Sequence, residues 1–590
     1  MIIQSKDRRV LIDAAMGRID NDLIVFNAKI FNVFTGEILK GEIWIKDGFI
    51  THVEVHEGSS QIGKSKESVD VLGNYVIPGL IDPHVHIESS MLTPRQFASA
   101  VLPHGTTTVV TDPHEIANVY GIKGVQYMIE SGLDTPLRQL AHAPSCVPSV
   151  LGLENTGAIL GPEEIETLFK MKNVIGLAEV MDFIGVIQNE ERMHKILEVA
   201  HSHQRFIQGH APSLVGHERS AYKLAGPSSD HEITTPHEAI DSLRMGLYVD
   251  ARDSSIAQNI PDIALGVKNL RYLDYLTICT DDREAQDILN HGSVDSLINL
   301  LIKEGVDPID AIRCGTLNAA RQIRQETLGA IAPGYVADLV ITESLHLIKA
   351  KSVYVGGKHI AEDGKMISPL KEIIYPLEKE NSINIPTLTL DDLTLRTPIS
   401  KGEVTVNVLC YEGSDSVVTT IKKEVMKVIN GKLQLNDPQL KIVAVINRYG
   451  LSNKAFHVVR DFGITKGCVA STVAHDSHNL IMVYEDPQDA FVAYNQVKTT
   501  HGGMCTVLDH KVTGSLELPV AGLMANIPIH DMAEKAEYLK LRLKELGLTQ
   551  MENPLLRIVT LALPVIPYAK MSDMGCIDVV KKSFIPLFDQ

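Results

Sequence analysis

Three patterns of apolar and polar residues follow one another along the chain, and the first predicts a small β domain. Residues 5–16 have the pattern of a short helix. Short β-rich runs then alternate with turn signals such as Asp47-Gly48. These runs lie at residues 22–27, 28–34, 41–46 and 49–53. Similar β-rich runs occur again at residues 337–341, 352–357 and 358–361. We expect the two groups of strands to pair into a small flanking β-sandwich.

The second pattern, between these two groups, alternates strand-like apolar runs with helical periodicity. The helical pattern is clear at residues 191–203 and 236–245. Strand-like runs lie at residues 75–82, 106–112, 140–144, 174–182, 206–211, 247–252 and 276–282, and a sixth strand at residues 227–232 is inferred from its position. This alternation over roughly 250 residues predicts a (β/α)8 TIM-type barrel. An open doubly wound sheet is the alternative, although no Gly-x-Gly-x-x-Gly turn supports it.

The third pattern begins after a polar, proline-containing linker at residues 378–386. Strand patterns at residues 403–409 and 442–447 are mixed with helical patterns at residues 487–499 and 532–546. This mixture predicts a C-terminal α/β domain. The sequence therefore divides into residues 1–75 and 331–377 for the two parts of the small β domain, 76–330 for the barrel and 387–590 for the C-terminal domain.

Composition narrows the class of protein. The chain has 590 residues, of which 44% are hydrophobic and 22% charged, as in ordinary globular proteins. A formal net charge of −18 argues against a nucleic-acid surface, which needs basic patches. Seven cysteines without a Cys-x-x-Cys pair indicate reduced thiols and a cytoplasmic protein. The first 17 residues lack the apolar segment of a signal peptide, and no run of about 18 apolar residues predicts a membrane helix.

The first candidate metal ligands are His84 and His86, which follow the apolar run at residues 75–82. Two histidines two residues apart on an extended chain point to the same side, so they can bind one metal ion together. Imidazole suits Zn, Fe, Mn, Ni or Cu, so the pair does not identify the metal. Two hydrogen-bonded histidines near a turn are the alternative interpretation.

Further ionisable residues close later strands of the predicted barrel: Glu179, His210, His231 and Asp281. The C-terminal ends of barrel strands converge on one mouth, so these residues and the two histidines are expected to meet there. Four histidines, one glutamate and one aspartate can hold two divalent ions, with Glu179 between them. Two cations that share a hydroxide lower its pKa and create a nucleophile at neutral pH. Any single residue of the set could instead have only a structural partner.

The order His-x-His, Glu, His, His, Asp on successive strands resembles the amidohydrolase superfamily, and several segments resemble its bacterial adenine deaminases. These segments are residues 83–91 (PHVHIESSM), 111–118 (TDPHEIAN), 178–182 (AEVMD), 209–212 (GHAP), 280–282 (TDD) and 473–479 (VAHDSHN). The resemblance covers essentially the whole chain. It implies hydrolytic deamination of adenine to hypoxanthine and ammonia. It also implies two divalent metal ions per chain, Mn²⁺ or Fe²⁺, with Zn²⁺ as an alternative.

The resemblance also implies roles for individual residues. His84, His86 and Asp281 would bind the first metal ion, His210 and His231 the second, and Glu179 both. Asp281 would also take a proton from the attacking hydroxide and pass it to the departing amine. Glu88, His114, Glu115 and Asp282 are candidates for contacts with the purine ring. Where the family has Arg-Glu-Gly-Ser, this chain has Arg252-Asp253-Ser254-Ser255.

Several alternatives remain open at this stage. The cluster of His475, Asp476 and His478 could bind a further metal, close over the barrel mouth or form a hydrogen-bonded loop. The substrate could be another cyclic amide or an N-acyl compound, although the motifs are poor in lysine and so favour a neutral substrate. A barrel that only binds partner proteins would have lost ligands that this chain keeps. Barrels of this size lead us to expect a homodimer without nucleic-acid or membrane partners.

Overall fold

The computed structural model describes residues 5–566 and 568–589, and it begins with the small β unit. Helix α1 spans Ser5–Ala15. The strands that follow are β1 (Asn21–Phe31), β2 (Ile38–Lys46), β3 (Phe49–Val55), β4 (Ser65–Asp70) and β5 (Tyr75–Pro78). Strand β1 joins two runs that the sequence pattern separates, because its pairing with β2 shifts register between Val25 and Ala28. The shift behaves as a β-bulge and lets one strand continue through the irregularity.

Eight parallel strands form the barrel. They are β6 (Leu80–Val85), β7 (Thr106–Thr111), β8 (Arg138–Ala143), β9 (Val174–Val180), β10 (Phe206–Gly209), β11 (Ser229–Asp230), β12 (Tyr248–Arg252) and β13 (Leu276–Cys279). Strands β6 to β10 pair in sequence order, and so do β11 to β13. The backbone of Ser228 donates to Ile207 across the join between the two sets, at 2.9 Å. A parallel bridge between Val85 and Asp281 closes the ring, so the predicted barrel is confirmed.

The apolar run at residues 75–82 is two strands in two different sheets, and the expectation of a single strand was wrong. Residues Tyr75–Pro78 pair with β1, whereas Leu80–Val85 pair with β7. Gly79 lies at the join, where a Cβ atom would stand 2.3 Å from the Thr107 Oγ1 atom. Because glycine has no Cβ atom, the chain can pass this close to Thr107 and enter the next sheet without a loop.

Helices follow the barrel strands and cover them. They are α2 (Pro94–Val101), α3 (His114–Tyr120), α4 (Ile122–Leu133), α5 (Pro162–Leu168), α6 (Phe183–Ile187), α7 (Glu191–Ser202), α8 (Gly216–Ala225), α9 (Pro236–Arg244), α10 (Ile260–Val267), α11 (Ala285–His291), α12 (Val294–Lys303), α13 (Pro308–Arg313) and α14 (Ala319–Gln322). Helix α9 has a capping box, in which the Thr235 hydroxyl accepts from the Glu238 backbone and the Glu238 carboxylate accepts from the Thr235 backbone.

After the barrel, the chain returns to the small β unit. Strands β14 (Leu339–Thr342), β15 (Ser352–Val355), β16 (Lys358–Glu362) and β17 (Lys365–Met366) complete it. β14 pairs antiparallel with β5, and the sheet runs β17-β16-β15-β14-β5-β1-β2-β3 with β4 beside β1. The two segments therefore pair into one nine-stranded sheet, and the pairing agrees with the similar sequence pattern of the two segments.

The C-terminal part of the chain has two sheets. Its strands are β18 (Lys401–Tyr411), β19 (Thr419–Ile429), β20 (Lys432–Leu433), β21 (Leu440–Ile446), β22 (Lys454–Arg460), β23 (Cys468–Ser471), β24 (Leu480–Tyr484), β25 (Gly503–Leu508), β26 (Lys511–Glu517), β27 (Ala569–Ser572), β28 (Gly575–Asp578) and β29 (Ser583–Ile585). The helices are α15 (Pro487–Thr499), α16 (Ile529–Leu546) and α17 (Leu555–Val559). Strands β18 to β26 form one nine-stranded sheet, and β27 to β29 form the other.

The C-terminal part packs directly on the mouth of the barrel. Apolar side chains that follow β6, such as Leu92, share one buried cluster with Leu518 and Val520. The backbone of Ala525 donates to Met91 at 2.9 Å. No helix within the described residues has the length and apolar character needed to cross a membrane. The seven cysteines are buried and unpaired.

Candidate active site

Six sequence-predicted residues converge at the mouth of the barrel. They are His84 in β6, His86 just after it, Glu179 in β9, His210 after β10, His231 after β11, and Asp281 after β13. They meet because all eight strands are parallel, so their C-terminal ends lie at the same end of the barrel. His84, Glu179, His231 and Asp281 are at most 4% exposed.

His84 and His86 are oriented by partners on the far sides of their rings. The Nδ1 atom of His84 lies 3.0 Å from the Gln208 side-chain oxygen, and Nδ1 of His86 lies 3.0 Å from the backbone carbonyl of Asp112. These oxygens can only accept, so each Nδ1 carries a proton, and in the neutral ring that binds a metal ion each Nε2 presents a lone pair. Hydrogen bonds of this kind orient histidines that bind metals.

Glu179 lies between two sets of histidines. Its Oε1 atom is 3.3 Å from His86 Nε2. Its Oε2 atom is 2.7 Å from His210 Nδ1 and 3.2 Å from His231 Nε2. Burial raises the pKa of Glu179, but His210 and the other histidines outweigh this effect and hold the pKa well below its usual value. The two oxygens of this ionised carboxylate therefore face different parts of the cluster.

Asp281 is shared between histidines and an arginine. Its Oδ1 atom lies 3.2 Å from Nε2 of His84 and 3.2 Å from Nε2 of His86. Its Oδ2 atom accepts a hydrogen bond of 2.7 Å from Arg252. Burial raises the pKa of Asp281, but Arg252 and the histidines hold it well below its usual value. The residue has a positive φ of 53°, a conformation that aspartate tolerates better than most residues do.

The cluster fits divalent metal ions. The lone pairs of His84 and His86 point at carboxylate oxygens, and such an arrangement is repulsive unless a cation or a proton lies between them. Two groups of ligand atoms, His84/His231/Asp281 and Glu179/His210/His231, each lie within 4.8 Å of one another. Imidazole nitrogen and carboxylate oxygen together suit Mn, Fe or Zn.

The four predicted purine contacts occupy two different places. Glu88 and Asp282, which follow the candidate ligands His86 and Asp281 in the sequence, line a cavity. The Glu88 Oε2 atom is buried and has no hydrogen-bond partner among the residues that the structure describes. Burial raises the pKa of Glu88 to about 7. His114 and Glu115 lie outside the lining of this cavity: His114 Nδ1 is 3.6 Å from Glu179 Oε1, and His114 Nε2 is 3.3 Å from Glu115 Oε1.

The cavity lies between the barrel and the C-terminal part, and most of its polar groups come from the barrel. The barrel supplies Glu88, Ser89, Ser255, Asp282 and Glu284, together with the apolar Met91 and Ile256. The C-terminal part supplies apolar side chains and one histidine, namely Val473, Leu555, Leu556, Val559 and His475. The cavity volume is about 30 Å³, so a planar heterocycle fits between the two walls only when they move apart.

Sequence reasoning missed residues that hold the ligands in place. The Gln208 side-chain oxygen lies 3.0 Å from His84 Nδ1 and 3.2 Å from His142 Nδ1. Arg252 donates to Asp281 and also to Glu232, at 2.6 and 3.0 Å. Strand alternation offered a signal for Gln208, because it stands two residues before His210. Nothing in the sequence pattern points to the partners of Arg252.

The eight-stranded parallel barrel, with histidines and carboxylates gathered at its C-terminal end, defines the class of metal-dependent barrel hydrolases. Residues 75–362 match the model of the amidohydrolase family, and residues 416–583 match the model of the adenine deaminase C-terminal domain. The chain belongs to the adenine deaminase family of the amidohydrolase superfamily. Members of this superfamily use divalent metal ions, and the residue groups described above fit such use.

Curated relatives are similar over almost the whole chain. Adenine deaminase of Bacillus pumilus is 37% identical over 581 residues, which are 98% of this chain and 98% of the relative. Adenine deaminase 2 of Carboxydothermus hydrogenoformans is 36% identical, with 98% of this chain and 99% of the relative covered. Adenine deaminase of Kosmotoga olearia is also 36% identical, over 98% of each chain.

Proposed function

We propose that this protein is a hydrolase that converts adenine to hypoxanthine and ammonia. The observation that carries the proposal is the similarity of 36–37% identity to proteins named adenine deaminase, which extends over 98% of the chain. That similarity includes the C-terminal part that forms one wall of the cavity. In the reaction, water replaces the amino group at C6 of the purine, so that one C–N bond breaks and one C–O bond forms.

We infer that the six clustered residues hold two metal ions, with Mn²⁺ or Fe²⁺ favoured over Zn²⁺. His84, His86 and Asp281 would hold one, His210 and His231 the other, and Glu179 both. A divalent ion supplied to this site lowers the pKa of water that it binds, which makes hydrolysis accessible at neutral pH. Gln208 and the Asp112 carbonyl keep the Nε2 atoms of His84 and His86 directed into the cluster.

Asp281 is the proposed proton carrier. Its carboxylate is ionised and faces the two histidines at 3.2 Å, so it can accept a proton from the attacking water. It then passes this proton to the amino group, which leaves as ammonia. Arg252 holds the second carboxylate oxygen and prevents the carboxylate from turning away. Glu88 and Asp282 are the proposed contacts to the edge of the purine, because both line the cavity.

The test is ammonia release from adenine by protein expressed and assayed with Mn²⁺. Adenosine and a cyclic amide are assayed beside it. We expect release from adenine with hypoxanthine as the product, and no release from the other two compounds. Chelation should abolish the activity, and it should return when two Mn²⁺ per chain are restored. Protein that binds two metal ions but hydrolyses only the cyclic amide would contradict the proposed substrate.

Further proposals concern the whole protein. We propose a cytoplasmic homodimer without nucleic-acid or membrane partners, in keeping with the net charge of −18 and the seven unpaired cysteines. The division of the chain at residues 75, 330, 377 and 387 is likewise proposed. Size-exclusion chromatography with light scattering tests the oligomeric state, and limited proteolysis tests the division.

A further inference from the structure

A carboxylate of the barrel and two histidines of the C-terminal part meet beside the candidate active site. Glu115 lies in the first turn of α3, directly after the end of β7. Its Oε1 atom is 2.5 Å from His475 Nδ1, and its Oε2 atom contacts His478 Nε2. All three side chains are buried. The contacts connect residues that are 360 and 363 positions apart in sequence.

The hydrogen bonds around His478 argue against a third metal ion at this cluster. The backbone N–H of Ala474 donates to His478 Nδ1 at 3.2 Å, so Nδ1 acts as an acceptor and Nε2 carries the ring proton. A protonated nitrogen cannot bind a metal ion. His478 therefore donates from Nε2 to Glu115, and the cluster is a set of hydrogen bonds with one carboxylate at its centre.

His475 differs from His478 because its ring also reaches the cavity. It is one of the residues that line this cavity, together with Glu88, Ser89 and Asp282. Glu115 engages Nδ1, which leaves Nε2 as the polar ring atom for the cavity. The other C-terminal side chains in this wall, Val473, Leu555, Leu556 and Val559, are apolar. Among the C-terminal side chains of the wall, His475 is therefore the polar one.

We propose that His475 is a substrate-binding residue, which Glu115 positions so that Nε2 donates a hydrogen bond to an unprotonated ring nitrogen of the purine. This inference rests on the proposed function, and it names a residue that determines the specificity of the protein for a purine. Glu115 is then a positioning residue that acts through His475. The barrel would supply the chemistry, and the C-terminal part would supply one of the contacts that distinguish a purine from other flat molecules.

The charge of His475 agrees with a donor role. Burial lowers the pKa of His475, but Glu115 and Asp282 outweigh this effect and raise it to about 9. The ring is therefore protonated at neutral pH and carries a hydrogen on both nitrogens. One hydrogen points to Glu115, and the other is free to meet an acceptor on the ligand.

Two substitutions separate the two ring nitrogens of His475. In His475→Asn, the amide nitrogen replaces Nδ1 and keeps the contact with Glu115, but the outer donor is lost. In His475→Gln, the longer side chain carries a donor near the position of Nε2. We expect Asn to raise KM for adenine roughly 10-fold or more while kcat changes little, because a hydrogen bond to a charged group is lost. Gln should restore part of the lost affinity.

Ring-nitrogen analogues identify the contact directly. Dissociation constants of purine and of 1-, 3- and 7-deazaadenine are measured by calorimetry on Mn²⁺-loaded protein. In the unaltered protein, the deazaadenine that lacks the contacted nitrogen should bind roughly 10-fold more weakly than the other two deazaadenines. In His475→Asn, that difference should disappear. The control is His510→Ala, at an exposed histidine that pairs with Asp486 in the same part of the chain.

The outcomes separate this inference from the proposed function. If the Asn variant contains its metal and binds purine and every analogue as the unaltered protein does, His475 does not contact the ligand. If the unaltered protein binds purine but deaminates nothing, the proposed reaction fails while the binding comparison still decides the role of His475. If it binds neither purine nor adenine, both proposals are wrong.

Discussion

At the scale of single residues, the partners of the Asp281 carboxylate determine its charge and its orientation. One of its oxygens faces His84 and His86, and the other accepts from Arg252. Arg252 in turn donates two hydrogen bonds to Glu232, so its guanidinium cannot swing away. The sequence motif predicts that Asp281 belongs to the cluster. It does not predict Arg252 as its partner, because Arg252 ends β12, Asp281 follows β13, and no local pattern relates them.

Replacing Asp281 by Asn should remove nearly all turnover. The amide keeps the size of the side chain and the contact with Arg252, but it cannot accept the proton. We expect kcat for ammonia release to fall at least about 100-fold. Metal content, measured by mass spectrometry, separates this effect from loss of a ligand.

The matched control is Asp274→Asn, because Asp274 precedes β13 at the opposite end of the barrel and pairs with Arg313. Its kcat should be unchanged. An Asp281→Asn variant with two metal ions per chain and near-normal activity would show that the residue carries no proton.

At the scale of elements, the site depends on how closely neighbouring strands approach. Gly209 ends β10, and a Cβ atom there would stand 2.0 Å from the backbone oxygen of Ser229. His210 follows directly and carries one of the ring nitrogens nearest to Glu179. The periodicity predicts a strand here and a histidine at its end. It does not predict that β11 has only two residues, because hydrogen bonds to the neighbouring strands decide where a strand ends.

Gly209→Ala should therefore disturb both stability and activity. The methyl group must push β10 away from β11, which we expect to cost about 1–3 kcal/mol and to move His210 away from Glu179. Thermal unfolding and ammonia release check the two effects. In the control Gly161→Ala, a Cβ would meet only the flexible Glu164 carboxylate, at 3.3 Å. Equal melting temperatures and activities for the two variants would contradict the assignment of close packing at Gly209.

Helix α16 is held against the barrel mouth by a mostly buried ion pair. Lys540 donates to Glu284 at 2.6 Å, and Asn553 donates to the other oxygen of Glu284 at 2.5 Å. The side chain of Lys540 is only 10% exposed, and that of Glu284 only 12%. The pattern of α16 predicts the helix from sequence. It does not predict its partner on the barrel, which lies 256 residues away.

Lys540→Met should lower the stability of the docked C-terminal part. The change leaves Glu284 with one partner fewer in a mostly buried place, which we expect to cost about 1–3 kcal/mol. Chemical denaturation measures the loss. Lys535→Met, at an exposed position of the same helix, is the control. Adding Glu284→Gln to Lys540→Met should recover part of the loss, and a further loss instead would contradict the pairing.

At the scale of the whole molecule, the barrel and the C-terminal part share one buried surface. A single apolar cluster includes Phe97 and Val101 of the barrel helix α2 together with Leu539 and Leu543 of α16. The candidate active-site cavity lies at the same contact. The two parts therefore pack as one structure, although the sequence pattern separates them with a linker.

Fragments of the chain test this shared surface. Residues 1–386 expressed alone should be poorly soluble and inactive, because the mouth of the barrel would expose apolar side chains and lack one wall of the cavity. Co-expression with residues 387–590 should yield a complex with a one-to-one ratio and ammonia release from adenine. An isolated fragment of residues 1–386 that is monodisperse and fully active would show that the C-terminal part has no role in the site.

The sequence by itself determined the barrel, the residues at its strand ends and the family, because the periods of strands and helices and the order of the ligands are local properties of the chain. Only the tertiary structure decided which distant groups meet. Glu115 with His475, Asp281 with Arg252, and Glu284 with Lys540 are pairs of this kind. Local patterns record the face on which a residue lies, whereas a contact across hundreds of residues depends on how all the elements pack.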